Sequence, residues 1–370
     1  MLIITTVGDI HAYAVREALK AKGYDALLWH SSSFPVNGKE SVIFRSDGGN
    51  CIVDDGEIKF SGNRFLTIWR RRPAFKLNYS ILHTSDIQYA SYQCSSFRRG
   101  FFYFLEKGSF CINPCQAALN ANSKVVQNCI AYKLGIKMPK TLYSNNPETI
   151  KEFIKDNDNR VVFKPLELIL WQTKEKIITS FSSVISEKDL CDDCILQQTP
   201  AIFQEYVEKK YELRITMIGD LGFCARINSQ QTSDGKIDWR KANIESLNMY
   251  MIDTPEELLI LCRMMMKELG IVFGCFDFIV NSKNEYVFLE VNQMGQFLFI
   301  ERLTGAPLLD AFTELMIQRK RNLKLNKGRK IVRYDDIYEE AQAFSKEMQD
   351  IHGYSDFEEK NLDDEERIIV

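Results

Sequence analysis

Three oxygen-bearing side chains, Asp277, Glu290 and Asn292, stand in two apolar runs, Phe273-Gly-Cys-Phe-Asp-Phe-Ile-Val-Asn and Tyr286-Val-Phe-Leu-Glu-Val-Asn. Both runs read as strands of one hairpin. Residues two apart on a strand share a face, so Glu290 and Asn292 converge and Asp277 can meet them across the pair. Such a set of hard oxygen donors suits Mg²⁺, which keeps positions open for phosphate and so points to a nucleoside triphosphate. A sheet whose polar residues simply face water would contain the same residues. Earlier in the chain, Lys164 closes the apolar run Val161-Val-Phe and is followed by Pro165. An ammonium in an apolar strand needs an anionic partner, either phosphate or a structural carboxylate.

Other features carry less chemistry. Trp69-Arg-Arg-Arg-Pro73 could hold phosphate or a carboxylate, or be a solvated strand end. Cys191-Asp-Asp-Cys194 has knuckle spacing, but a zinc site needs a second pair of ligands, and the four histidines lie far away in sequence. The pair therefore reads as two thiols in a surface loop. No Ser-His-Asp or Cys-His pattern stands out.

The elements that must position these groups fall into four sections: 1–115, 116–200, 201–325 and 326–370. In the first, Leu2-Ile-Ile-Thr, a turn at Gly8-Asp9 and a helical stretch from Ala12 to Lys22 make an α/β start. The second opens with a helix from Asn122-Ser-Lys124 that Gly135 ends. The third holds strands around Phe203 and Leu213, a hairpin turn at Gly219-Asp220, and a helix from Thr254 to Leu269 that leads into the metal hairpin. The fourth has a basic run, a helical piece and an acidic end expected to be flexible.

With 370 residues, 45% of them hydrophobic, the chain can fill two or three lobes. A net charge of −3 gives no global attraction to nucleic acid. No leader or membrane-spanning run is evident, and the ten cysteines sit mostly in apolar runs, so a cytoplasmic protein with reduced thiols is expected. A homodimer is compatible with the chain, though nothing in it requires one.

Taken in order, Lys124, Lys164, a hinge segment, an acid, Asp277 and Glu290-x-Asn292 resemble the ATP-grasp enzymes over roughly 116–302. The resemblance implies an α/β (α+β) fold in which a central and a C-terminal lobe clamp ATP behind an N-terminal α/β domain. It also implies phosphate contacts from Lys124 and Lys164, adenine contacts from the backbone of Glu205, Tyr206 and Val207, ribose contacts from Glu212, and Mg²⁺ held by Asp277, Glu290 and Asn292. A closer similarity runs to about residue 315. Trp69-Arg-Arg-Arg-Pro73, Cys111-Ile-Asn-Pro114, Phe203-Gln-Glu-Tyr-Val207, Glu212-Leu-Arg214, Asn228-Ser-Gln-Gln231, Asp238-Trp-Arg240 and Glu290-Val-Asn-Gln-Met-Gly-Gln-Phe297 resemble the ligases that macrocyclise microviridin-type (graspetide) precursors.

That resemblance implies a ribosomal precursor peptide with a leader segment as partner. The expected reaction is ATP-dependent joining of Asp or Glu carboxylates to Ser or Thr hydroxyls or Lys amines. Arg214, Arg226 and Arg240, with Asp238, are the expected catalytic groups, since guanidinium binds acyl phosphate and carboxylate bidentately. Dipeptide ligases of the D-alanine type carry arginine where Cys275 stands, which argues against that subfamily. A small-acid ligase and a nucleotide-binding regulatory protein are the alternatives. A leader peptide is expected to use an open edge at the Gly219 hairpin or the loop at 191–198.

Overall fold

The computed structural model describes residues 1–62, 64–167, 170–172, 177–179, 182–231, 235–241, 243, 247–325, 328 and 330–352. The chain opens with β1 (Leu2–Thr5), α1 (Ile10–Ala21) and β2 (Leu27–His30). A meander of β3 (Lys39–Arg45), β4 (Gly48–Asp54) and β5 (Lys59–Ser61) follows, then β6 (Thr67–Arg70), the long α2 (Thr84–Leu105) and β7 (Phe110–Ile112). The four strands β1, β2, β6 and β7 form a parallel sheet of order β2-β1-β6-β7. Leu2, Ile3 and Ile4 are wholly buried, as expected of a strand covered on both faces. The twenty-two-residue α2 and strand β4 are elements beyond those read above from the residues.

Two helices, α3 (Cys115–Asn122) and α4 (Lys124–Lys133), come next. Ser123 caps α4 by accepting the Val126 N–H at 3.4 Å. Both pack on the C-terminal lobe through Ala121, Val126, Ile130 and Ala131, so they lie with that lobe rather than with the sheet that follows them. That sheet contains β8 (Thr141–Ser144), then after α5 (Pro147–Lys155) strand β9 (Val161–Lys164). Strands β10 (Leu170–Gln172) and β11 (Ile177–Thr179) pair separately. β12 (Ser183–Ile185), α6 (Asp193–Leu196) and β13 (Ala201–Glu205) complete the sheet in the order β12-β9-β13-β8. Its small core is built on Ile150, Ile154, Val161 and Phe203.

The last sheet has the order β16-β15-β14-β17-β18, from β14 (Lys209–Ile218), β15 (Leu221–Ile227), β16 (Met249–Ile252), β17 (Phe273–Asn281) and β18 (Tyr286–Asn292), with α7 (Glu256–Leu269) packed on one face. Phe276, Phe278 and Phe288 are buried between them, each contributing roughly 2–3 kcal/mol. On the other face, α8 (Leu298–Thr304) and α9 (Leu308–Gln318) join this sheet to the N-terminal one: Phe312 meets Trp69 at 4.7 Å and Phe273 at 5.0 Å between ring centroids. The final helix, α10 (Tyr338–His352), docks on α1. The acidic end expected to be flexible lies outside the described residues, as do parts of the basic run and of the segment after Lys164.

The open edge expected at the Gly219 hairpin is not there. β15 has β16 as its outer neighbour, and the turn is covered by Arg321, whose carbonyl accepts the Asp220 N–H at 2.8 Å. Cys191 and Cys194 are free, one half-buried and one exposed. Among the described residues no helix is long and apolar enough to cross a membrane.

Candidate functional site

The β17–β18 hairpin sets Asp277 opposite Glu290 and Cys275 opposite Asn292. The register slips between Asp277 and Phe278, leaving Leu289 as the extra residue. That bulge lets Phe288 point into the core below the sheet while Glu290, only two residues on, points to the opposite face. Asn292 Nδ2 reaches both carboxylates, Asp277 Oδ2 and Glu290 Oε1, at 3.2 Å each. The three residues therefore converge. An amide turned to present its oxygen would make an all-oxygen donor set suited to a hard divalent cation. Among the described residues no group of three His, Cys, Asp or Glu does so, and two carboxylates plus one amide are the set available.

Cations surround the pair. Arg214 Nη1 donates to Asp277 Oδ2 at 2.6 Å from the neighbouring strand, where the two residues are register partners. Lys124, in the first turn of α4, forms an ion pair with Glu290. Burial raises the Glu290 carboxyl, but Lys124, Arg240 and Lys164 outweigh it and hold the group down at about 2. Burial pushes Asp277 up, with Arg214 opposing and Glu290 adding, so Glu290 is the firmly ionised member of the pair. Behind this cluster, Gly295 allows a close approach: a Cβ there would collide with the Cys275 side chain and press on Arg214.

Lys164 reaches the site from β9 of the other sheet. Its ammonium donates to the neutral Gln204 side chain at 2.7 Å and has no carboxylate in ion-pair contact among the described residues. Burial is the main reason its affinity for a proton falls to about 8. Glu290 opposes the shift, and Lys124 and Arg240 reinforce it. Arg240 lies beside Asp238, which accepts Nε at 2.8 Å and Nη2 at 2.7 Å, a bidentate fork that fixes the guanidinium plane. Burial works to raise the Asp238 carboxyl, but that fork more than offsets it and keeps the group below its ordinary value.

The connection between the two sheets is the irregular stretch 206–208, directly after β13. Glu205 is tied to Lys140 through its backbone N–H at 2.9 Å and its carboxylate at 3.1 Å, and Arg160 lies 3.7 Å over the Tyr206 ring. The backbone groups of Tyr206, Val207 and Glu208 take no main-chain partner among the described residues, so they are available to a planar heterocycle. On the same face as Arg214, Glu212 accepts Lys209 at 2.8 Å and Ser229 at 2.6 Å. Both donors land on Oε1, and Oε2 has no partner among the described residues.

Arg226 is not brought to this cluster. It pairs with Leu213, whose side chain lies in the core beneath the sheet, so Arg226 projects on the face away from Arg214. There it stacks on Tyr211 at 3.7 Å and donates to Asn228 at 3.0 Å. Three groups joined to the site had not been singled out from sequence: Gln204, Lys209 and Ser229. Gln204 was legible as the diagonal cross-strand neighbour of Lys164.

Neither a protein-family model nor a curated protein matches the chain. Solved structures do. A macrocyclase from Microcystis aeruginosa MRC, MdnC, bound with its precursor peptide MdnA, is 30% identical with a TM-score of 0.75, covering 86% of this chain and 99% of its own. A Chryseobacterium gregarium RiPP-associated ATP-grasp ligase, in complex with ADP and a leader and core peptide, is 26% identical with a TM-score of 0.76, covering 88% and 99%. A D-cycloserine synthetase shares the fold at 14% identity and a TM-score of 0.54, covering 86% and 99%.

Proposed function

The chain belongs to the ATP-grasp peptide macrocyclases, and from that premise we propose that it closes rings in a ribosomal precursor peptide by joining Asp or Glu side chains to Ser or Thr hydroxyls or Lys amines. The observation that carries this reading is the meeting of the Asp277, Glu290 and Asn292 oxygens with Lys124, Lys164, Arg214 and Arg240 at the junction of two sheets. Positioning and charge stabilisation are what phosphoryl transfer asks of a protein. The better structural match to the two peptide-bound ligases than to the D-cycloserine synthetase favours a peptide over a small acid.

In this reading the free backbone of 206–208 takes the adenine and Glu212 Oε2 a ribose hydroxyl. Lys124 and Lys164 face the phosphates, and Asp277, Glu290 and Asn292 hold Mg²⁺. The ion supplies neutralisation of phosphate charge. A substrate carboxylate oxygen attacks the γ-phosphorus and ADP leaves; the hydroxyl or amine then attacks the acyl carbon and phosphate leaves. Arg214 and Arg240, each fixed by a carboxylate, hold the acidic side chain and its acyl phosphate in place. All ten cysteines are free, which supports a reducing, cytoplasmic setting.

The test is mass spectrometry of an acidic precursor peptide encoded beside this protein, after incubation with the enzyme, ATP and Mg²⁺. Loss of one water per link, dependent on ATP, is expected. An unchanged peptide, with ATP hydrolysis stimulated by small amino acids instead, would refute the peptide reading.

A further inference from the structure

A cavity of about 420 Å³ opens beside the metal hairpin, at the carboxyl ends of β1 and β6. Its walls include Thr6, Arg70, Arg72, Asn122, Gln293 and Met294. In the order β2-β1-β6-β7 the chain turns outward in opposite directions from β1 and β6, so the crevice lies at the switch point where open parallel sheets bind ligands. It also adjoins the reacting centre. Asn122 stands two residues before Lys124, Gln293 follows Asn292 directly, and the two side chains are joined at 3.2 Å. Arg71 anchors the Met294 carbonyl, which fixes the wall next to the metal hairpin.

The charge in this crevice is one-sided. Arg70 is paired with Glu106 at 3.2 Å and Arg71 with Asp9 at 3.5 Å, but Arg72 is exposed and has no anionic partner among the described residues. Among the described residues no acid lines the cavity. Burial lowers the proton affinity of Arg71 and the Arg72 charge lowers it further, against the pull of Asp9, so the Arg72 guanidinium stands close enough to repel a second cation. The Asn122 Nδ2 is likewise without a partner among the described residues. A guanidinium, a hydroxyl and an amide donor facing one space are the groups that bind a carboxylate.

We propose that this cavity is the subsite for a second acidic side chain of the peptide substrate, apart from the one that Arg214 and Arg240 hold for phosphorylation, with Arg72 binding the carboxylate and Asn122 and Thr6 as flanking donors. The assignment rests on the macrocyclase reading for the identity of the ligand, and it makes the Trp69-Arg-Arg-Arg-Pro73 stretch a specificity element rather than a solvated strand end. In this reading the nucleotide phosphates are taken by Lys124 and Lys164 beside Glu290, which leaves Arg72 to the peptide.

The experiment follows phenylglyoxal labelling of Arg72 in the full chain by peptide mass spectrometry, with hexaglutamate, hexaglutamine or Mg-ADP present. Beside it, the precursor KM is measured in Arg72→Gln and Arg72→Lys. Hexaglutamate alone is expected to slow labelling. Arg72→Gln should raise the KM about tenfold, as expected for losing one charge-assisted contact, with nucleotide affinity unchanged and partial recovery in Arg72→Lys. Protection by Mg-ADP instead, or no protection by hexaglutamate, overturns the proposal. A wild-type enzyme that forms rings while Arg72→Gln keeps its KM overturns it too and leaves the macrocyclase reading standing. Protection by hexaglutamate in a protein that closes no rings supports the acid subsite and removes the macrocyclase reading.

Discussion

Lys164 offers the sharpest test of the site's electrostatics. Its ammonium sits at about 8 rather than the usual 10.5, chiefly because burial disfavours the charged form, and the side chain it bonds among the described residues is a neutral amide. Polyphosphate beside it should restore an ordinary value, so nucleotide binding must take up a proton whenever the free enzyme has released one. At pH 7 the lysine is about nine-tenths protonated and uptake is about a tenth of a proton; at pH 8.5 it is about three-quarters of a proton. Affinity should then fall about tenfold between pH 7 and pH 9. The sign for folding is the opposite. Between about 8 and 10.5 the unfolded chain holds a proton that the folded chain lacks, so this group's contribution to stability rises with pH. The assay is titration calorimetry with a non-hydrolysable ATP analogue and Mg²⁺ in buffers of different ionisation enthalpy. Lys164→Met should bind more weakly and take up nothing. Uptake near zero at pH 8.5, or equal uptake in Lys164→Met, refutes the reasoning.

Asp277→Asn and Glu290→Gln should each abolish ring formation while leaving the thermal transition within a few degrees of wild type, because each removes a charge at the edge of the cleft and no core volume; normal turnover in either would remove the magnesium assignment. Arg226→Gln, on the far face of the sheet, should keep ring formation within an order of magnitude, and a loss as deep as that of Arg214→Gln would show that it acts at the reacting centre. Glu40, fully enclosed against Arg98, has its carboxyl raised to about 7 by burial against the attraction of that arginine. A raised acid stabilises the fold below its unfolded value and loses that contribution as pH rises through about 7. The wild-type melting temperature should therefore drop between pH 5 and pH 7.5 relative to Glu40→Gln, and parallel curves for the two proteins would contradict this.

How much of the site could be read from sequence depended on whether its geometry was local. Glu290 and Asn292 share a strand, and period two alone puts them on one face; Asp277 joins them because a short hairpin leaves few registers. The bulge at Leu289 left no sequence signal, yet it lets Glu290 and Phe288 face opposite ways. That Arg226 faces away from Arg214 was, by contrast, legible in the sequence. A two-residue turn at Gly219-Asp220, with Gly219 at φ +57°, pairs Ile218 with Leu221 and so carries Arg226 to Leu213. Arg214 and Arg226 then have opposite parity, and no twist of the sheet can bring them to one face. Long-range partners were harder. Lys164 meets Gln204 across β13, and Lys124 meets Glu290 from a helix 166 residues away in sequence, contacts that depend on how the two sheets and α4 pack rather than on any spacing along the chain. Charge pattern still constrained them: a lysine ending an apolar strand was expected to have an anionic partner, phosphate or a carboxylate. The structure gives it an amide instead of a carboxylate, so among the described residues the ammonium's charge has no direct ion pair and is open to phosphate.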